Sequence, residues 1–176
     1  MRRLVATSIA LAVSVCACSI TTSPSSAVTP ASRLPTASGI AVTGGCGSTQ
    51  AYVGGVPDWL DLAGARNNPR ELPYVIADPP TAAGFLFTTP LRAGHPSNPA
   101  NKILWVVGQP RNGDDLQITA HPVDATTPVI QTSQPANSSP GEIYPSIVDV
   151  PLPGCWHFEL TWAGHTAAVE LPYVSP

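Results

Sequence analysis

Hydrophobic and polar residues alternate most regularly near the C-terminal end of this chain. From Cys155 to Trp162 apolar and polar residues take turns, and the alternation returns from Thr166 to Val174. A period of two residues predicts strands that each bury one face. Ala163-Gly164 between them has the length of a two-residue hairpin turn. This segment therefore predicts an antiparallel hairpin that closes the domain.

The turn also predicts which side chains lie opposite one another in this hairpin. In the resulting register Phe158 faces Val169 on the side of the core. His157 faces Glu170 on the outer side, where the two side chains are cross-strand neighbours. The hairpin therefore separates an apolar inner face from a polar outer face.

Other apolar runs, separated by Pro, Gly and Asn, predict further strands. The uninterrupted run from Lys102 to Gln109 is typical of a central strand covered on both sides. The Asn112-Gly113 pair predicts a turn, after which Leu116 to His121 forms the return strand. The remaining candidate strands are Pro73 to Ala77, Ala83 to Thr88, Pro128 to Thr132 and Ser146 to Val150. Only Pro57 to Gly64 predicts helical turns, with Asp58 as the N-cap.

Short strands without alternating helices predict an all-β fold, an antiparallel β-sandwich of about seven or eight strands. The segment Pro151 to Trp156, which leads into the terminal hairpin, resembles the last strands of an immunoglobulin-like domain, and this resemblance implies an immunoglobulin-like sandwich. The 21 prolines of the chain argue against long helices. We expect this domain to span residues 46–176, preceded by a disordered signal and tether segment. The segment 18–45 is rich in Ser, Thr, Pro, Ala and Gly, and such a composition cannot bury enough apolar surface to fold by itself.

The first residues of the chain form an export pattern. Arg2 and Arg3 precede an uncharged, mostly apolar stretch, Leu4 to Val15, which is too short to span a bilayer. The tetrad Val15-Cys16-Ala17-Cys18 resembles the lipobox of bacterial lipoproteins, although Cys16 stands where that motif has a small or aliphatic residue. The resemblance implies a signal peptide over residues 1–17 and a lipidated Cys18 as the mature N-terminus. An ordinary secretory signal cut after Ala17 fits the same residues.

Export changes the interpretation of the two cysteines that follow the signal. Cys46 and Cys155 would reside in an oxidising compartment, where a disulfide between them is the expected state. Binding of a metal by the thiol pair is the alternative, but no CxxC motif and no histidine at ligand spacing accompanies either cysteine. A catalytic cysteine paired with a histidine is a second alternative.

Composition and motifs exclude several classes of function. The chain has 11 acidic residues against eight basic ones, and two of the basic ones lie in the signal. Such a charge balance excludes a nucleic-acid binder, which needs a basic surface. The sequence contains no G-x-S-x-G, P-loop, dinucleotide fingerprint or HExxH motif. We therefore expect no catalytic residue, no resident metal and no cofactor.

Tryptophans provide the candidate binding residues. Trp59 lies in the irregular N-terminal part of the domain and Trp162 beside the hairpin turn, and exposed aromatic rings can contact glycans or protein partners. Packing into the core is nevertheless the role that the pattern favours for each. The four histidines, His95, His121, His157 and His165, could instead serve a metal if two of them converged.

The chain as a whole resembles small envelope lipoproteins of actinobacteria that carry an immunoglobulin-like domain on a stalk. The segments Asn101 to Gly108, Pro145 to Trp156 and Leu160 to Thr166 carry this likeness. It implies a binding or interaction module held on the extracytoplasmic face of the cell membrane by its lipid, with an envelope protein or glycan as partner and no catalysis. The alternative is a small envelope hydrolase or metal-handling protein that uses histidine and carboxylate side chains.

Overall fold

The computed structural model describes residues 37–65, 71–94 and 101–176. The predicted signal peptide, the lipidation site Cys18 and the tether as far as residue 36 lie outside the described residues, as does His95. Within the described ranges no helix is long and apolar enough to cross a membrane.

The described residues form two sheets. The first sheet has the strand order β1-β2-β3-β4-β6-β9, and all of its neighbouring strands are antiparallel. Its strands are β1 (Ile40–Val42), β2 (Ala51–Val53), β3 (Tyr74–Ile76), β4 (Ala82–Leu86), β6 (Lys102–Val107) and β9 (Ile143–Ile147). The second sheet has the order β5-β11-β10-β7-β8, in which only the pair β5 and β11 is parallel. Its strands are β5 (Leu91–Arg92), β7 (Leu116–Pro122), β8 (Ile130–Gln134), β10 (Gly154–Trp162) and β11 (His165–Val174).

The predicted fold class, an all-β sandwich of mainly antiparallel strands, is confirmed. The predicted hairpin is confirmed in detail, because Phe158 pairs with Val169 and His157 pairs with Glu170 across β10 and β11. The turn at Ala163-Gly164 adopts positive φ angles of 45° and 79°, as the two central residues of a type I′ turn require.

Aromatic rings from both sheets form the core between the layers. Trp105 of β6 and Phe158 of β10 are fully buried, and their ring centroids are 6.3 Å apart. Phe158 also stacks on Tyr173 of β11 at 6.1 Å. Because Trp105 belongs to the first sheet and Phe158 to the second, their contact joins the two layers of the sandwich, while Tyr173 packs beside Phe158 within the second sheet.

The outer face of the first sheet is apolar as well. A short segment packs on it, consisting of α1 (Asp58–Leu60) and the turn Asp61–Ala65, in which Gly64 leaves the helical conformation with a φ of 118°. Leu60 is fully buried there against Phe85 and Val106. This cover explains why β6 is an uninterrupted apolar run, as predicted for a strand with apolar contacts on both sides.

A disulfide joins Cys46, in the connection between β1 and β2, to Cys155 of β10, as predicted. It links a segment that follows the edge of the first sheet to a central strand of the second sheet. The structure also corrects the expected domain boundary, because β1 lies within the segment 18–45 that was predicted as tether. β1 has only three residues and is flanked by serine, glycine and threonine, so its pattern is too short to predict a strand from the sequence.

Several other local predictions need correction. Pro57 and not Asp58 occupies the N-cap position of α1, and no side chain caps this helix. The strand expected at Ser146 to Val150 is β9, shifted toward the N-terminus. The described residues contain more strands than the seven or eight expected, because β1, β2 and β5 are only two or three residues long.

A glycine makes room for the largest side chain of the core. Gly84 lies directly opposite Trp105 in the pairing of β4 with β6. A Cβ atom at position 84 would lie 2.6 Å from Cζ3 of that indole and 3.0 Å from its Cε3. The indole therefore packs directly over the glycine backbone.

We predict that Gly84→Ala lowers the free energy of unfolding by about 1–3 kcal/mol, because the added methyl group overpacks the core. Chemical denaturation measures this loss. In a Trp105→Leu background the same substitution should be much less costly, since the clashing ring is gone. An equal cost in both backgrounds would contradict this explanation.

Candidate functional site

The outer face of the second sheet is polar. Its outward side chains are half-buried or exposed, and most of them can form hydrogen bonds. They are Gln117, Thr119, His121, Gln131, Ser133, His157, Glu159, Thr161, Thr166 and Glu170. This face is therefore a largely exposed polar surface, unlike the covered outer face of the first sheet.

Two histidines meet on this polar face. His121 of β7 and His157 of β10 are direct cross-strand partners. Their ring centroids are 5.2 Å apart and the ring planes are inclined by 32°. His157 and Glu170 are in turn partners across β10 and β11, so the three side chains form one row across three strands. We call His121, His157 and Glu170 the histidine row.

Backbone carbonyl groups fix the orientation of the first histidine. Nδ1 of His121 lies 2.8 Å from the carbonyl oxygen of Pro122 and 2.9 Å from that of Ala125. Both partners can only accept a hydrogen bond, so Nδ1 carries the hydrogen. In the neutral ring the lone pair then belongs to Nε2.

A carboxylate has the corresponding position beside the second histidine. Nδ1 of His157 lies 3.8 Å from Oε1 of Glu170, and the His157 side chain is 34 % exposed. This separation is longer than a hydrogen bond, so the carboxylate acts on Nδ1 through its charge alone. Nδ1 is the ring nitrogen of His157 that faces Glu170, and Nε2 is the one that does not.

The loop after Cys46 holds Glu170 in place. The backbone N–H and the hydroxyl group of Ser48 donate to Oε2 of Glu170. The backbone N–H of Glu170 donates to Oγ1 of Thr49 over 2.8 Å. Gly47 adopts a φ of 56°, and a Cβ atom there would lie within the Glu170 carboxylate. Only glycine allows this close approach.

A second group of contacts surrounds Arg111, which lies in the loop between β6 and β7. The guanidinium group of Arg111 donates to the carbonyl oxygens of Ile143 and Ser139, over 2.9 Å and 2.8 Å. It also lies over the Tyr144 ring, 5.2 Å from the centroid. The hydroxyl group of Tyr144 donates to the carbonyl oxygen of Asp114 over 2.6 Å. These contacts stabilise the loops, and we assign no chemical reaction to these side chains.

The two predicted binding tryptophans are both largely packed. Trp162 is 1 % exposed and its Nε1 donates to the carbonyl oxygen of Gln109, so its ring belongs to the core and offers no surface to a partner. Trp59 is half-buried and covers Gly108, where a Cβ atom would lie 2.7 Å from the ring. Its buried Nε1 has no hydrogen-bond partner among the described residues.

The pairing of His121 with His157 is the feature that sequence reasoning missed. Each residue occupies an outward position in an alternating strand, which was visible in the sequence. That β7 and β10 are neighbours was not visible, because the pairing of strands far apart in the chain depends on the whole fold. In the part of the chain that the structure describes, no three or more His, Cys, Asp or Glu side chains are grouped so that they could hold a metal ion.

Comparisons with protein-family models, with curated proteins and with solved structures gave no match. The chemistry of the site therefore has to be argued from its own residues.

Burial raises the pKa of Tyr144 to about 12, although the nearby charge of Arg111 opposes this shift. In the unfolded chain the pKa of a tyrosine is close to 10. The folded state thus keeps a proton that the unfolded state loses, and the resulting stability is present below pH 10 and is lost as the pH rises toward 12.

We predict that the free energy of unfolding falls more steeply between pH 10 and pH 12 in the natural protein than in Tyr144→Phe. Denaturant titrations at several pH values measure the two slopes. The variant also loses the hydrogen bond to Asp114, so its stability at pH 7 serves as the reference. Identical slopes would show that Tyr144 does not ionise on unfolding in this range.

Proposed function

We propose that the protein is a lipid-anchored binding module on the extracytoplasmic face of the cell membrane. The observation that supports this proposal best is the disulfide between Cys46 and Cys155, which are 109 residues apart in sequence. Disulfides persist in oxidising compartments and are rare in the cytosol. The export pattern and the lipobox-like tetrad before Cys18 are consistent with such a compartment.

The position of the first strand is consistent with attachment at the N-terminus. β1 is an edge strand of the first sheet and comes before every other described strand in the chain. The polar face with the histidine row belongs to the other sheet. We therefore assign attachment to the end of the chain before β1 and binding to the polar face of the second sheet.

The character of the exposed face favours a polar partner. The outward side chains of β7, β8 and β10 are mainly Gln, Thr, Ser, His and Glu, which recognise a ligand through hydrogen bonds and charge. An envelope protein or a glycan has the groups to meet such a surface. Metal handling is the second candidate function, and the proximity of His121 and His157 is the specific observation that favours it.

The anchor is tested with two neighbouring cysteines. We predict that Cys18→Ala abolishes incorporation of labelled palmitate and releases the protein from the membrane fraction, because the thioether can no longer form. The matched variant Cys16→Ala should remain lipidated and membrane-bound. Palmitate labelling, detergent phase partitioning and mass spectrometry of the N-terminus provide the measurements.

Simple secretion makes the opposite prediction for the same pair. If the signal is cut after Ala17 without lipid attachment, the natural protein and both variants are found in the soluble extracellular fraction. A natural N-terminus with an unmodified Cys18 would therefore disprove the anchor.

The disulfide yields a separate prediction about stability. Replacing both cysteines, Cys46→Ser with Cys155→Ser, should lower the free energy of unfolding by about 4–5 kcal/mol, since the crosslink no longer restricts the unfolded chain. Denaturation of the natural protein in reductant should give the same loss. If reductant leaves the stability of the natural protein unchanged, the bond does not contribute as proposed.

A further inference from the structure

We propose that His121 and His157 bind a divalent transition-metal ion, of the class of Zn²⁺ and Cu²⁺, through their Nε2 atoms. The proposal goes beyond a general binding role because it names a ligand and its two protein donors. It concerns the polar face alone, so it does not depend on lipid attachment.

The spacing of the rings suits a shared ion. With metal–nitrogen bonds of about 2.0–2.1 Å, two imidazoles that meet at a tetrahedral angle have ring centroids about 5 Å apart. The centroids of His121 and His157 are 5.2 Å apart. Because the two residues are direct partners on neighbouring strands, the sheet backbone holds them at this spacing without a ligand.

The groups beside Nδ1 of each ring suit the same role. Metal-binding histidines usually direct the other ring nitrogen to a backbone carbonyl or a carboxylate, which fixes the tautomer and raises the basicity of the ligand. His121 has two carbonyl oxygens at Nδ1, and His157 has the Glu170 carboxylate near Nδ1. In both rings Nε2 is thus the nitrogen left for a ligand.

The charges around the pair favour a cation. Glu170 is held beside His157 by the Ser48 backbone and hydroxyl groups, and Glu159 is the next outward residue on β10. Imidazole is a ligand of choice for Zn²⁺ and Cu²⁺ and a poor one for Mg²⁺ and Ca²⁺, which prefer oxygen. With two protein donors on the described face, water molecules complete the coordination.

The test is calorimetric titration of the full mature protein in detergent with Zn²⁺ and, separately, with Cu²⁺. We expect one ion per chain for the natural protein and no heat with Mg²⁺. His121→Ala and His157→Ala should each reduce the affinity by more than about tenfold. Glu170→Gln, which alters only the group behind His157, should reduce it by about tenfold or more.

His165→Ala is the matched control, since this histidine lies outside the row, with its ring 5.6 Å from that of Trp162. Its affinity should equal that of the natural protein. Equal binding in all three histidine variants, or an equal loss in all three, would overturn the proposal.

Nuclear magnetic resonance keeps the test independent of how well the variants fold. In the natural protein, substoichiometric Cu²⁺ should selectively broaden the imidazole resonances of His121 and His157. Broadening confined to other histidines, or absent at stoichiometric Cu²⁺, would disprove the site. The lipid-labelling experiment does not change with either result, so a failure here is distinguishable from a failure of the anchor.

Discussion

The register of β7, β10 and β11 is the constraint on which both the core and the candidate site depend. Side chains on a strand alternate between its two faces, so one pairing decides every residue at once. In the observed register Phe158 points inward to Trp105, and His157 points outward to His121. A slip by one residue would bury the imidazole of His157 and expose Phe158. The same apolar contacts that stabilise the sandwich therefore also hold the two histidines together.

Sequence reasoning succeeded where the information was local. The β10–β11 hairpin was predicted in its register because two alternating strands are joined by the two-residue turn Ala163-Gly164, and pattern and turn demand the same pairing. The strand β6 was predicted as central because its continuous apolar run needs contacts on both faces. The disulfide was predicted from the compartment that the export pattern implies, and its geometry followed only from the structure.

The remaining features depend on contacts between distant parts of the chain. Trp162 lies beside a turn, which made it a binding candidate, but the favoured role in the core is the observed one: the ring is buried and the carbonyl oxygen of Gln109 accepts its indole hydrogen bond. Strands of three residues such as β1 and β2 exist only because neighbouring strands supply their hydrogen bonds. The histidine row required a neighbour relation, β7 beside β10, that no local pattern encodes.

The disulfide has a structural consequence beyond the stability of the fold. It ties Cys46 to Cys155 of β10, which stands two residues before His157 on the same strand. The disulfide thereby restrains the loop that follows Cys46. Gly47 allows this loop to approach the Glu170 carboxylate closely, and Ser48 donates two hydrogen bonds to it. Glu170 in turn lies beside Nδ1 of His157. The disulfide is thus connected, through the loop after Cys46 and the Glu170 carboxylate, to the imidazole of His157 that we propose as a metal ligand. We therefore expect reduction of the disulfide to loosen the loop that positions Glu170 beside His157.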